Sequence, residues 1–91
     1  MYVLSERWNE TGETLISLSF SKEEATNIFK SRVRELLVKN TGLSKSEIEA
    51  IIINSLKENY CHEFIGYRET NEELDVSIFV TKYSGGWVEI L

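Results

Sequence analysis

The stretch GLSKSEIEAIII, residues 42–53, reads as a turn followed by the start of a helix. Ser44 stands at the N-cap position, and Glu47 three residues later closes a capping box. Leu43, just before the cap, can staple onto Ile48. Gly42 suits the left-handed position that ends a preceding helix. The stretch is therefore a junction between two helices, and the rest of the chain divides around it. Downstream, Ile48, Ile51, Ile52, Leu56 and Tyr60 fall on one helical stripe. Ile53 widens that stripe, which predicts a helix covered on more than one side.

Upstream, Ser21 reads as a second N-cap with Glu24 three residues on, and Lys22 to Lys39 has helical spacing. Ala25, Ile28, Phe29, Val33, Leu36 and Leu37 make its apolar stripe. Before it, Met1 to Trp8 reads as a strand with Tyr2, Leu4 and Trp8 on one side. Asn9 to Gly12 is a turn, and Thr14 to Phe20 is a second strand. Ile16, Leu18 and Phe20 alternate there with Leu15, Ser17 and Ser19, and the latter three are expected to point outward. After the helices, Cys61 to Arg68 is a strand and Glu69 to Glu72 a turn. Leu74, Val76, Ile78 and Val80 alternate with Asp75, Ser77, Phe79 and Thr81 in the clearest strand of the chain. Residues 83–86 turn it back into a last strand, Trp87 to Leu91. The order ββααβββ predicts one α+β domain over residues 1–91, a mostly antiparallel sheet with two helices packed on one face.

The totals bound the function. Ninety-one residues with 42% apolar and 11% aromatic side chains suit one globular domain. Its net charge of −5 repels nucleic acid and favours basic partners. The single Cys excludes an internal disulfide, which suits a reducing cytoplasm. The N-terminus has neither a basic segment nor a long apolar run, so no signal peptide is expected. The longest apolar run, Ala50 to Ile53, is far short of the ~20 residues that span a bilayer. The expectation is a soluble cytoplasmic protein.

Chemical motifs are sparse. In YCHEF, residues 60–64, Cys61, His62 and Glu63 are metal-ligand types, but adjacent strand residues face opposite ways. With one Cys and one His, a structural zinc site would need sharing across a dimer. No metal or cofactor is expected, and His62 reads as an edge side chain. There is no phosphate-binding glycine loop and no nucleophile elbow, so no enzyme is expected.

A strand, a helix, the TGLSKSEI turn (41–48) and a second helix resemble the ribbon-helix-helix family of DNA-binding regulators. The resemblance spans Thr14 to Tyr60. It implies a dimer whose paired strands enter the major groove and whose outward strand side chains read bases. Those positions would be Leu15, Ser17 and Ser19, none of which makes a bidentate base contact.

Charge is uneven. Residues 21–40 carry five Lys or Arg and three Glu, and Lys30 and Arg34, one helical turn apart, form a candidate anion or nucleic-acid patch. Residues 61–91 carry six acids against Arg68 and Lys82, with Glu69, Glu72, Glu73 and Asp75 at a hairpin tip. Such a tip can dock into a basic groove. Alternation puts Phe79 on the sheet face away from Val76 and Ile78, alongside Tyr83 on the same strand line. That second face is partly apolar and needs a partner. These residues predict a non-enzymatic protein-binding module using Tyr67, Phe79, Tyr83 and Trp87, edged by Glu69, Glu72, Glu73 and Asp75. The partner would be a protein with a basic surface, with a homodimer as a second arrangement and neither nucleic acid nor membrane bound directly. The profile is similar to that of small phage or mobile-element proteins that inhibit host defence, among them anti-CRISPR proteins. The dimeric ribbon-helix-helix-like regulator is the alternative.

Overall fold

The computed structural model describes residues 1–19, 21–58, 62–69 and 72–82, with only the backbone at 67–69, 72–74 and 82. Within them the chain forms β1 (Tyr2–Trp8), β2 (Thr14–Ser19), α1 (Lys22–Asn40), α2 (Lys45–Ser55), β3 (Glu63–Glu69) and β4 (Glu72–Lys82). The four strands make one antiparallel sheet in the order β2-β1-β4-β3. This is the expected α+β architecture. The strand expected at Trp87 to Leu91 lies outside the described residues, as do Phe20 and Tyr60.

Each helix starts where its capping residue dictates. The Ser21 hydroxyl accepts from the Glu24 N–H at 3.1 Å. At α2 the box is complete: Ser44 Oγ accepts from the Glu47 N–H, and Glu47 Oε1 accepts from the Ser44 N–H. The end of α1 is not the expected glycine cap. Gly42 does not adopt positive φ. Instead the Asn40 side chain donates to the Leu36 carbonyl, and Thr41 donates both its N–H and its hydroxyl to the Leu37 carbonyl. Polar side chains satisfy the last carbonyls, so no left-handed residue is required.

Two other glycines do need their freedom. Gly12, at φ 74°, closes the β1–β2 turn and donates its N–H to the Trp8 carbonyl. Gly66, at φ 63°, sits where the β3–β4 register slips between Ile65 and Tyr67, a β-bulge that alternation alone does not reveal.

The core is one layer between the helices and one sheet face. Leu4, Phe64, Val76, Ile78 and Val80 come from the sheet, Ala25, Phe29, Val33, Leu36 and Leu37 from α1, and Ile48 and Ile52 from α2. Burial of the α1 stripe across the sheet is the main apolar contribution, worth about 1.5–3 kcal/mol for each large side chain. Two expectations fail here. Ile53 is 66% exposed, because α2 is covered on one side only. In β2 the faces are reversed: register pairs Leu15 with Glu6, Ser17 with Leu4 and Ser19 with Tyr2. Leu15, Ser17 and Ser19 therefore lie on the helix side, while Ile16 and Leu18 point away from it. The short β1–β2 turn sets this register, and it outranks the hydrophobicity of β2 itself. No described helix is long and apolar enough to cross a membrane.

The two glycines provide a test of these backbone assignments. Gly12→Ala should cost about 1 kcal/mol by forcing Cβ into positive φ, lowering Tm by several degrees. Gly42→Ala meets open space and ordinary φ, so it should be neutral or stabilise by up to about 1 kcal/mol. Thermal melting of both variants separates them, and a loss at Gly42 equal to that at Gly12 would contradict the cap described above.

Candidate functional site

Antiparallel pairing brings both hairpin tips to the same end of the sheet. Trp8 at the end of β1 lies opposite Val76 near the start of β4, so the Asn9–Glu13 turn runs beside the β3–β4 tip. Asn9 ties the two together. Its backbone N–H donates to the Asp75 carbonyl at 3.2 Å, and its side-chain amide donates to Asp75 Oδ1 at 2.7 Å. In the other hairpin, Glu69 pairs with Glu72 and Arg68 with Glu73. Glu10 and Glu13, both exposed, join the acids expected from β3 and β4. By backbone position six acidic residues thus fall at this end, with Arg7 and Arg68 as the basic residues there among the described strands. The linear sequence does not show Glu10 and Glu13 as part of this group, since about sixty residues separate them from Glu69–Asp75.

The expected aromatic surface is less compact. Phe79 is half-buried on the face away from the helices, opposite Ser5 of β1 and Glu63 of β3. It lies six residues from Glu73, about 20 Å along the strand. Phe79 and the acidic tip are therefore two regions of one hairpin and not a single cluster. Tyr67 is placed opposite Leu74 by its backbone. Tyr83 and Trp87 lie outside the described residues. What the face does carry is Ile16, Leu18 and Ile65, at 47%, 60% and 67% exposure. Sequence alternation flags Phe79 but not these, because it places Ile16 and Leu18 on the inward side of β2 and the Gly66 bulge breaks the β3 pattern beside Ile65.

Of the cationic patch expected on α1, Arg34 is already paired. Arg34 Nε and Nη2 donate to Glu49 Oε1 and Oε2 at 2.7 and 3.2 Å, a two-pronged clamp between α1 and α2. Lys30 is half-buried, and its charge acts on Glu49 and on His62. Arg34 and Lys30 thus serve the helix layer, and an incoming phosphate would have to displace Glu49. Beside the clamp, a groove of about 660 Å3 is lined by Val38, Leu43, Ile48 and Lys45. It is largely apolar.

Ser19, expected to point outward, is buried, and so are two ionisable residues that the sequence pattern does not place inside. Glu6, 1% exposed, faces the helices in a position where the β1 pattern calls for an apolar side chain. Arg32 of α1 donates to it through Nε at 2.5 Å and Nη2 at 2.9 Å, and Trp8 donates its indole N–H at 2.8 Å. The Arg32 bond holds the Glu6 carboxyl below its ordinary value, against the opposing effect of burial, and Trp8 and the Arg32 charge add to it. His62 is buried, not an edge residue. Its Nδ1 accepts from the Lys57 N–H at 2.9 Å, which leaves Nε2 to carry the proton of the neutral ring and donate to Thr26 Oγ1. Burial first, and then Lys30, hold His62 below its ordinary value of 6.5. With both nitrogens engaged, His62 offers no lone pair to a metal. Among the described residues, no three His, Cys, Asp or Glu side chains gather as a metal site, and Cys61 lies outside them.

The two buried groups differ in their tests. Arg32→Met leaves a buried carboxylate with only the Trp8 indole as partner and should cost about 3–5 kcal/mol in urea unfolding. Glu6→Gln should cost less, about 1–2 kcal/mol, because the Arg32 side chain is 31% exposed and keeps Glu35 at 3.3 Å. Equal losses would mean that Glu6 is not the more deeply committed partner. For His62, the neutral ring is favoured by folding, so its contribution is complete above pH 6.5 and declines as pH falls below it. Tm should therefore drop from pH 6.5 toward 5 in the native chain and stay flatter in His62→Gln, before Glu6 begins to titrate below its ordinary 4.5. An identical slope in the variant would assign the loss to another group. No protein-family model, curated protein or solved structure matches this chain at a significant level.

Proposed function

We propose that this chain is a non-enzymatic protein-binding module whose acidic sheet end docks onto a basic protein surface. The observation that carries the reading is the convergence of both hairpin tips, tied by Asn9 and Asp75, next to a sheet face with exposed Ile16, Leu18 and Ile65. Most of the chain's net charge of −5 is concentrated at this end. Such a concentration speeds encounter with a cationic partner and fixes its orientation, while the apolar face supplies the contact that water exclusion strengthens. Proteins that handle nucleic acid present basic surfaces of this kind. Occupying one would exclude the nucleic acid, which is how an inhibitor carried by a phage or mobile element, like anti-CRISPR proteins, could act. The ribbon-helix-helix reading is less favoured, because neither face of β2 presents a side chain able to make a bidentate base contact.

The test uses three immobilised baits: the native chain, Glu72→Lys with Glu73→Lys and Asp75→Lys, and Lys30→Glu with Arg34→Glu. Proteins retained by the native bait should be lost from the acid-reversed bait, persist on the second variant, and elute when heparin competes. A labelled random duplex should show no saturable anisotropy change with the native chain at low salt. Duplex binding, or retention that ignores the acid reversal, would overturn the proposal.

A further inference from the structure

The two edges of the sheet are built differently. β3, at one edge, carries Glu63, Arg68 and Glu69 and is interrupted by the Gly66 bulge. Charged side chains and bulges are the usual means by which a sheet edge is kept from pairing with another strand. β2, at the other edge, has none of these. Its register against β1 runs unbroken from Thr14 to Ser19. Residues 14–21, TLISLSFS, contain no charged residue and no Pro, in a chain that is 27% charged. Leu15, Ile16 and Leu18 are 48%, 47% and 60% exposed. Above the strand, on the helix side, a groove of about 170 Å3 opens between Leu15 and Ser17 of β2 and Ile28 and Arg32 of α1.

We infer that β2 pairs antiparallel with β2 of a second copy, joining two four-stranded sheets into one continuous sheet about a two-fold axis. A second copy fits this edge for a reason of charge. Two chains of net −5 repel each other except through a neutral strip, and β2 is such a strip.

The axis must be perpendicular to the sheet, so both helix layers lie on one side and opposed residues share a face. Centring on Ser17 sets Ile16 against Leu18 on the open face, twice, and brings the two Leu15 side chains beneath the paired α1 grooves. A seam of five paired positions, residues 15–19, with Ile28 alongside buries at most on the order of 1,000 Å2, the low end for a specific contact. The dimer therefore forms in the micromolar range, with Kd about 1–100 µM.

Sedimentation velocity from about 1 to about 300 µM tests this directly. The native chain should move from 10.5 kDa toward twice that mass. Ile16→Lys with Leu18→Lys, at two exposed positions, should remain monomeric with an unchanged circular dichroism spectrum. A positive test is independent of any loss of folding: Ser17→Cys in a Cys61→Ser background should form a disulfide-linked dimer under mild oxidation. A native chain that stays monomeric throughout would overturn the inference. So would a Lys variant that still dimerises, or a failure of Ser17→Cys to cross-link where the native chain is dimeric.

Discussion

Two helices can cover only one face of a four-stranded sheet, and most of this structure follows from that limit. The apolar stripe of α1 lies across β1, β2 and β4, with α2 beside it, and the side chains between them exclude water. This layer provides the driving force for folding, since burial there removes most of the large aliphatic groups from solvent. The same arrangement leaves most of the opposite face, Val3 excepted, and both edges outside the core. Ile16, Leu18 and Ile65 are exposed because no element is placed to cover them among the described residues. Among the described residues the uncovered surface is therefore a geometric result of both helices lying on one side of the sheet.

The buried layer is not wholly apolar. Glu6 and His62 lie within it, and among the described residues no buried side-chain polar atom lacks a hydrogen-bond partner. A buried carboxylate gains little net stability over a hydrophobic residue of similar size, but removing its partner is costly. The consequence is positional. Arg32 can reach Glu6 only when α1 sits at one height above β1, and Thr26 can meet His62 only when α1 also lies near the start of β3. Together the two contacts set where α1 rests on the sheet. The Arg34–Glu49 clamp does the same between α1 and α2 at the surface, where solvent weakens it. Charges that look like a cationic patch along α1 are thus spent on joining elements.

Function, on this reading, belongs to the surfaces the core leaves open. The acidic sheet end is formed by two hairpins that are distant in sequence and adjacent in space. Its parts are held in register by the Asn9 and Asp75 contacts, so the carboxylates are presented from a braced end and not from an isolated loop. The apolar face beside it has the character of a contact surface, and the uncharged β2 edge has the character of a seam. The seam shares Ile16 and Leu18 with the apolar face, whereas the acidic end is separate from it, so a self-paired domain still presents its acidic ends to a basic partner.

The helix starts were legible in the sequence, because capping is local. Ser21 and Ser44 satisfy amides within one turn, and no distant residue is needed to recognise them. The α1 stripe and the β4 alternation were legible for the same reason: their periods of 3.6 and 2 appear in contiguous residues. Most of the fold class follows from those signals. Several features required the tertiary structure. The orientation of β2 depends on the register fixed by the turn to β1, and a one-residue shift would reverse both of its faces. The burial of Glu6 depends on Arg32, 26 residues away. The acidic end depends on the antiparallel order β2-β1-β4-β3, which brings Glu10 and Glu13 to the same side as Glu72 and Asp75. Local chemistry determined where each element starts and which side of most of them is apolar. Only strand pairing and helix docking decided which charged and apolar groups meet, because those contacts join residues that the chain's own periodicity never places together.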